Sequence, residues 1–224
     1  MPWFYSYHRT MQYPDNKPVQ FKVILLGESG VGKTTLYNRY QAVDKHSHTT
    51  SSCHCSREFP VGPKGLPVEL TLWDTANMER LHSLTDNYFR EAEGAVLVYD
   101  VADHMSLHAI PDWRRDCLNI SPSAQLFLVG NKIDLEPQQF SPERNTLEQA
   151  EVWSRELTDI EASYQISAKD DIHIEEMFSD IAQKIWTNHE STKVKNGNTL
   201  EAQSFRLSFD TNRRRKRRQC CSFL

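Results

Sequence analysis

The run Phe21-Lys22-Val23-Ile24-Leu25-Leu26 followed by Gly27-Glu28-Ser29-Gly30-Val31-Gly32-Lys33-Thr34 constrains the fold more than any other part of the chain. A short apolar stretch that ends in a glycine-rich turn and then Lys-Thr predicts a buried strand, a tight loop and the start of a helix. Gly27, Gly30 and Gly32 let the backbone curl closely around phosphate oxygens, whose charge is met by successive N–H groups and by the helix start. Ser29, Gly30, Val31, Gly32, Lys33, Thr34 and Thr35 are therefore the phosphate-binding candidates. Lys33 is expected to reach the terminal phosphates as the catalytic cation, and the Thr34 hydroxyl to ligate Mg²⁺.

Three further strings narrow the ligand. Asp74-Thr75-Ala76 follows the alternating run Val68 to Trp73, which sets Asp74 at a strand end where its carboxylate can hold Mg²⁺ through water. In Asn131-Lys132-Ile133-Asp134, Asp134 can accept two hydrogen bonds from the donor edge of guanine. Asn131 can hold the purine edge and neighbouring loops, and Lys132 can lay its stem over the base. Ser167-Ala168-Lys169 completes the pocket, with the Ala168 N–H facing the guanine carbonyl and Lys169 packing nearby. The expected ligand is GTP or GDP with Mg²⁺.

The order of elements predicts an α/β fold with ligand loops at the carboxyl ends of strands. Gly94 to Tyr99 and Leu126 to Val129 read as buried central strands, and Tyr164 to Ile166 leads into the Ser-Ala-Lys loop. Helices are expected from Thr34 to Tyr40, Met78 to Arg90, Ser106 to Cys117, Leu147 to Leu157 and Ile174 to Trp186. The polar interval Gln41 to Phe59 reads as a mobile loop. His46, His48, Cys53, His54 and Cys55 within it lack the paired spacing of a zinc site. With 224 residues, 38% hydrophobic and 25% charged, the chain suits one globular domain. The boundaries expected are an extension over 1–20, a nucleotide-binding domain over 21–190 and a flexible tail over 191–224. No run approaches the ~20 apolar residues that span a bilayer, the first 17 residues lack an apolar signal core, and five cysteines give no disulfide framework.

Together these strings resemble the Ras superfamily of small GTPases over about Phe21 to Trp186, and within it the Rab branch. Gly-Glu-Ser-Gly-Val-Gly-Lys-Thr, Leu-Trp-Asp-Thr-Ala, Leu-Val-Tyr-Asp-Val at 97 to 101, Gly-Asn-Lys-Ile-Asp-Leu and Ser-Ala-Lys carry the likeness. The resemblance implies a P-loop fold of six mostly parallel strands flanked by five helices, a monomeric domain, and a cycle between GDP- and GTP-bound forms. It also implies partners: effectors of the GTP state, an exchange factor and a GTPase-activating protein. Phe59, Trp73 and Tyr88 fall where Rab-like proteins place an aromatic triad that forms an effector surface.

The departures are specific. The family pattern continues Asp-Thr-Ala with Gly-Gln-Glu, whereas this chain has Asn77-Met78-Glu79. Met78 stands in for the glutamine that orients the attacking water, and a thioether offers no N–H, so weak intrinsic hydrolysis is expected. Asn77 restricts a backbone position where the family has glycine. Family spacing sets the Mg²⁺-coordinating hydroxyl of the first switch at Ser51 or Ser52, and Lys45 falls near the usual guanine-stacking aromatic position.

The C-terminus adds a second signal. Cys221-Ser222-Phe223-Leu224 has the form of a prenylation box, with Cys220 a second acceptor. The formal charge is −4, yet Arg213 to Arg218 carries six positive charges, leaving −10 on the rest. A basic patch beside a lipid holds a protein on an anionic membrane, while the acidic body argues against a nucleic-acid partner. A prenyltransferase and a lipid-binding chaperone are thus expected partners, and the cytoplasmic face of a membrane the expected location. The sequence favours a Rab-like switch in vesicle trafficking. The alternatives are a noncycling GTP-binding scaffold and a Ras- or Rho-like signalling GTPase at the plasma membrane.

Overall fold

The computed structural model describes residues 18–43, 53–62, 67–75, 88–135, 152 and 159–193. The expectations at Lys45, Ser51, Ser52, Asn77, Met78, Cys220 and Cys221 lie outside these residues, as do most of the helices expected at 78–90 and 147–157. Six strands form one sheet: β1 (Val19–Leu26), β2 (His54–Phe59), β3 (Val68–Asp74), β4 (Gly94–Asp100), β5 (Gln125–Asn131) and β6 (Ile160–Ile166). Their order across the sheet is β2-β3-β1-β4-β5-β6. β2 pairs antiparallel with β3 and the remaining neighbours run parallel. Because the parallel strands are covered on both faces, β4 reads Gly-Ala-Val-Leu-Val-Tyr with every residue through Tyr99 buried.

Alternate residues of the central strands feed two cores. Val23 and Leu25 of β1 join Val96, Val129, Leu36 of helix α1 (Lys33–Val43) and Phe178, Ile181 and Ile185 of the final helix α4 (residues 174–193). Ile24 and Leu26 join Leu97, Leu128, Leu107 and Ile110 on the opposite face. That second face is covered by α2 (His104–His108) and α3 (Ile110–Ile120).

Several expectations need correction. The helix expected over Ser106 to Cys117 is two helices that meet at Ala109, because Pro111 has no N–H to donate and so cannot continue α2 into α3. Asp103 starts α2 by accepting the Met105 N–H at 3.0 Å. The sheet begins at Val19, and α4 runs through residue 193, past the expected start of the tail. The largest difference is β2, which occupies the second part of the expected Gln41 to Phe59 loop. Its polar look is misleading, since Cys55, Arg57 and Phe59 all face the core. Arg57 is buried because Glu175 on α4 takes its Nη2 at 2.8 Å and the rings of Tyr40 and Phe59 lie 5.0 and 5.1 Å from its guanidinium carbon.

Candidate nucleotide site

The phosphate loop joins the carboxyl end of β1 to α1. Gly27, Gly30 and Gly32 have φ of 141°, 85° and 99°, which side chains rarely adopt. Space is as decisive as φ at two of them. A Cβ on Gly27 would lie 2.1 Å from the Val98 carbonyl oxygen, and one on Gly32 would lie 2.3 Å from Asn131 Nδ2. At Gly30 a Cβ would meet no atom within 4 Å, so the loop there borders open space. Lys33 is buried, and its Nζ donates to the Gly27 and Glu28 carbonyls at 2.7 Å each, which holds a positive charge inside the curl. Ser29, Thr34 and Thr35 are exposed and Val31 is buried beneath the loop.

Asp74 ends β3 opposite Leu25, one residue before the end of β1. Its N–H donates to the Cys53 carbonyl at 2.9 Å, and the buried Thr75 hydroxyl donates to the Leu25 carbonyl. The backbone of the Asp-Thr string is therefore pinned beside the carboxyl end of β1, where the phosphate loop begins. A buried cation, a curl of left-handed glycines and an adjoining carboxylate and hydroxyl suit a phosphate-bound Mg²⁺. Thr34 would hold the ion directly and Asp74 through water, and the ion would supply charge neutralisation at the phosphates.

The base-recognition strings converge on the same loop. Asn131, only 2% exposed, donates Nδ2 to the Val31 carbonyl at 2.8 Å and accepts the Ala168 N–H on Oδ1 at 2.9 Å. One amide thus ties the phosphate loop to the Ser-Ala-Lys loop. Lys132, in the left-handed region at φ 72°, sends Nζ to the Gly30 carbonyl at 2.8 Å and to Asp100 at 2.7 Å. Asp134 accepts the Ser167 hydroxyl at 2.6 Å and pairs with Lys169 Nζ at 3.5 Å. The Ser167 hydrogen bond is the main cause holding the Asp134 carboxyl below its usual range, so it stays an ionised acceptor fit for an N–H-bearing base edge. The Ala168 N–H, expected to face the guanine carbonyl, donates to Asn131 Oδ1.

The aromatic triad also divides. Trp73 makes an edge contact with Tyr88 at 5.7 Å, but its stacked neighbour is His54, at 4.5 Å and 17° between planes. Cross-strand register pairs His54 with Trp73 and Phe59 with Val68. Phe59 is 2% exposed, on the opposite face, against Tyr40. Period-two alternation explains it, since His54 and Phe59 are five apart and must point to opposite faces. The same rule separates His54 from the buried Cys55, so the two do not converge on a metal.

Sequence reasoning missed Arg39, whose Nε donates to the Ala168 carbonyl at 3.0 Å, Asp100, the partner of Lys132, and Trp113, whose Nε1 donates to Glu28 at 3.1 Å. Asp100 could have been found in the Tyr-Asp string at the end of β4; Arg39 and Trp113 carry no local signal.

A six-stranded sheet with a glycine-rich loop after its first strand, a carboxylate at the end of β3 and two further loops closing on the same point defines a P-loop nucleotide-binding domain. The family model described as Ras family matches residues 22–187. Similar proteins include Rab-21 of Geodia cydonium, 37% identical over 171 residues, covering 75% of this chain and 71% of that one. Rab-21 of Homo sapiens is 36% identical over 169 residues, covering 74% and 72%. Rab-13 of Bos taurus is 35% identical over 182 residues, covering 80% and 86%. The chain belongs to the Ras superfamily of small GTPases, in its Rab branch, and to a class of nucleotide-dependent switches. That membership carries binding of Mg²⁺ with GTP or GDP, and hydrolysis of GTP. Among the described residues no helix is long and apolar enough to cross a membrane.

Proposed function

We propose that this chain is a prenylated Rab-like switch of vesicle trafficking that hydrolyses GTP slowly by itself and recruits effectors while loaded with GTP. The observation that carries the guanine reading is the Asn131 amide joining Val31 to Ala168 beside the ionised Asp134, which couples a phosphate cradle to a pocket that accepts hydrogen bonds. Asn131, Lys132, Asp134, Ser167, Ala168 and Lys169 form the base side, and residues 29–35 the phosphate side. Thr34 and either Ser51 or Ser52 hold Mg²⁺, with Asp74 holding it through water. Slow turnover rests on Met78, whose side chain cannot both donate to and accept from an attacking water. Trp73 and Tyr88, with His54 rather than Phe59, form the effector face. Cys221, with Cys220 as a second acceptor, and the basic run Arg213 to Arg218 anchor the protein to an anionic membrane.

The test is single-turnover hydrolysis by Mg²⁺-GTP-loaded protein beside a Met78→Gln variant. Retained GTP in the native chain with faster conversion in the variant supports the reading. Conversion at equal rates in both overturns the role of Met78. A second reading, a noncycling scaffold, draws on Asn77 and Met78 together and requires a partner that binds the GDP and GTP forms equally.

A further inference from the structure

Arg39 lies on α1, outside every nucleotide-binding string of the chain, yet its guanidinium reaches across to the loop after β6. Nε donates to the Ala168 carbonyl at 3.0 Å, and Nη2 donates to the Lys169 carbonyl next to it. These two acceptors sit within a six-residue loop already closed by Ser167 and Ile172, which exchange backbone hydrogen bonds of 3.2 and 3.0 Å. The Ser167 hydroxyl accepts the Asp170 N–H at 3.0 Å, and the Ala168 N–H goes to Asn131. The loop's remaining orientation is that of the Ala168–Lys169 peptide. In a trans peptide the C=O and the following N–H point in opposite directions. Drawing the Ala168 carbonyl toward α1 therefore turns the Lys169 N–H away from α1. Among the described residues no acceptor meets that N–H.

We propose that Arg39 is a positioning residue for base recognition: by holding two consecutive loop carbonyls it aims the Lys169 N–H at the 6-keto oxygen of the bound purine. This rests on the guanine reading above and divides the labour within it. Asp134 takes the N–H edge of the base, while the loop held by Arg39 reads whether position 6 carries an acceptor. A fork with several donors suits two adjacent carbonyls better than a point charge does, and its planar geometry fixes the peptide plane as well as the distance.

The experiment uses the full chain and competition against a fluorescent GDP, with GDP, IDP and the diphosphate of 2,6-diaminopurine riboside as competitors, in the native protein, Arg39→Met and Arg39→Lys. IDP keeps the 6-keto oxygen, and the diaminopurine nucleotide replaces it with an amine. Arg39→Met is expected to weaken GDP and IDP together by about tenfold, as for loss of a charge-assisted hydrogen bond. The diaminopurine nucleotide should change by less than about twofold, because the contact at issue is absent from it. Arg39→Lys should fall between, retaining part of the GDP affinity through its ammonium. Equal weakening of all three nucleotides in both variants would overturn the proposal and leave Arg39 a purely structural clip, as would no weakening of any. Native protein that binds all three equally would overturn the guanine reading itself. Should Arg39→Met fail to fold, the ratio of GDP to diaminopurine affinity in Arg39→Lys decides the matter alone.

Discussion

Replacing each partner of the Arg57–Glu175 pair should give unequal losses, with the exposed partner the costlier one to remove. Arg57 is 6% exposed and the Glu175 side chain 56% exposed. Nη2 of Arg57 donates to both carboxylate oxygens, at 3.0 and 2.8 Å, while Nη1 is buried without a partner. Glu175→Ala leaves a guanidinium beneath α1 and α4 with no counter-charge. Breaking a fully buried pair costs about 3–5 kcal/mol, and water can reach the Glu175 end, so a loss of about 2 kcal/mol is expected. Arg57→Met removes the charge and its desolvation together. The lost ring contacts, about 1 kcal/mol, are offset by relief of the unpartnered N–H, also about 1 kcal/mol, for a net change within about 1 kcal/mol. Urea denaturation at one saturating concentration of GDP compares them, since nucleotide bound only to the native state adds the same increment to each if affinity is unchanged. A larger loss in Arg57→Met than in Glu175→Ala would refute this account and make the guanidinium a net stabiliser of β2.

Other sites give independent tests. Asn131→Ala leaves the Val31 carbonyl and Ala168 N–H without their shared partner, and GDP dissociation should accelerate about tenfold or more, read by release of a fluorescent analogue. Gly32→Ala sets a Cβ 2.3 Å from Asn131 Nδ2 at a φ of 99°, so nucleotide binding should be lost well before the fold, as separate binding and melting measurements would show. His189 packs edge-on to Phe21 at 5.1 Å, and burial lowers its pKa. Charging it destabilises the fold as pH falls through the ordinary histidine range toward its lowered folded value, so His189→Phe should flatten the fall in urea midpoint between about pH 7 and pH 5. Ser167→Ala removes the main cause lowering the Asp134 pKa. The favourable contribution of that carboxylate, present above its ordinary pKa and lost as pH falls through the folded value, should then disappear at higher pH. GDP release on acidification would begin earlier in the variant.

The parts of the chain legible from sequence are those where chemistry and period coincide. The glycines of the phosphate loop, Asp74 at a strand end, and the Asn131 and Ser167 strings each mark the end of a strand, and all lie at the carboxyl end of the parallel strands. β2 was hidden because a core-facing arginine breaks the apolar alternation, and only a partner 118 residues away, Glu175, makes its burial tolerable. Phe59 was drawn to the wrong face because spacing from a family pattern says nothing about parity along a strand, whereas the pairing of His54 with Trp73 does. Arg39 and Trp113 act through long-range hydrogen bonds, two from Arg39 and one from Trp113, and no local pattern marks a residue whose partner lies on another element.

The edge contact between Phe21 and His189 brings the start of β1 and the last turns of α4 together. Both lie at the pole of the sheet away from the loops that follow β1, β3, β5 and β6. The last turns of α4 thus lie on the side of the domain opposite the ligand loops. On the lipid anchor proposed above, proteins that load or empty the site would meet loops on the side away from the end of α4, so that exchange of nucleotide and residence on a surface would be separately adjustable properties of one small domain.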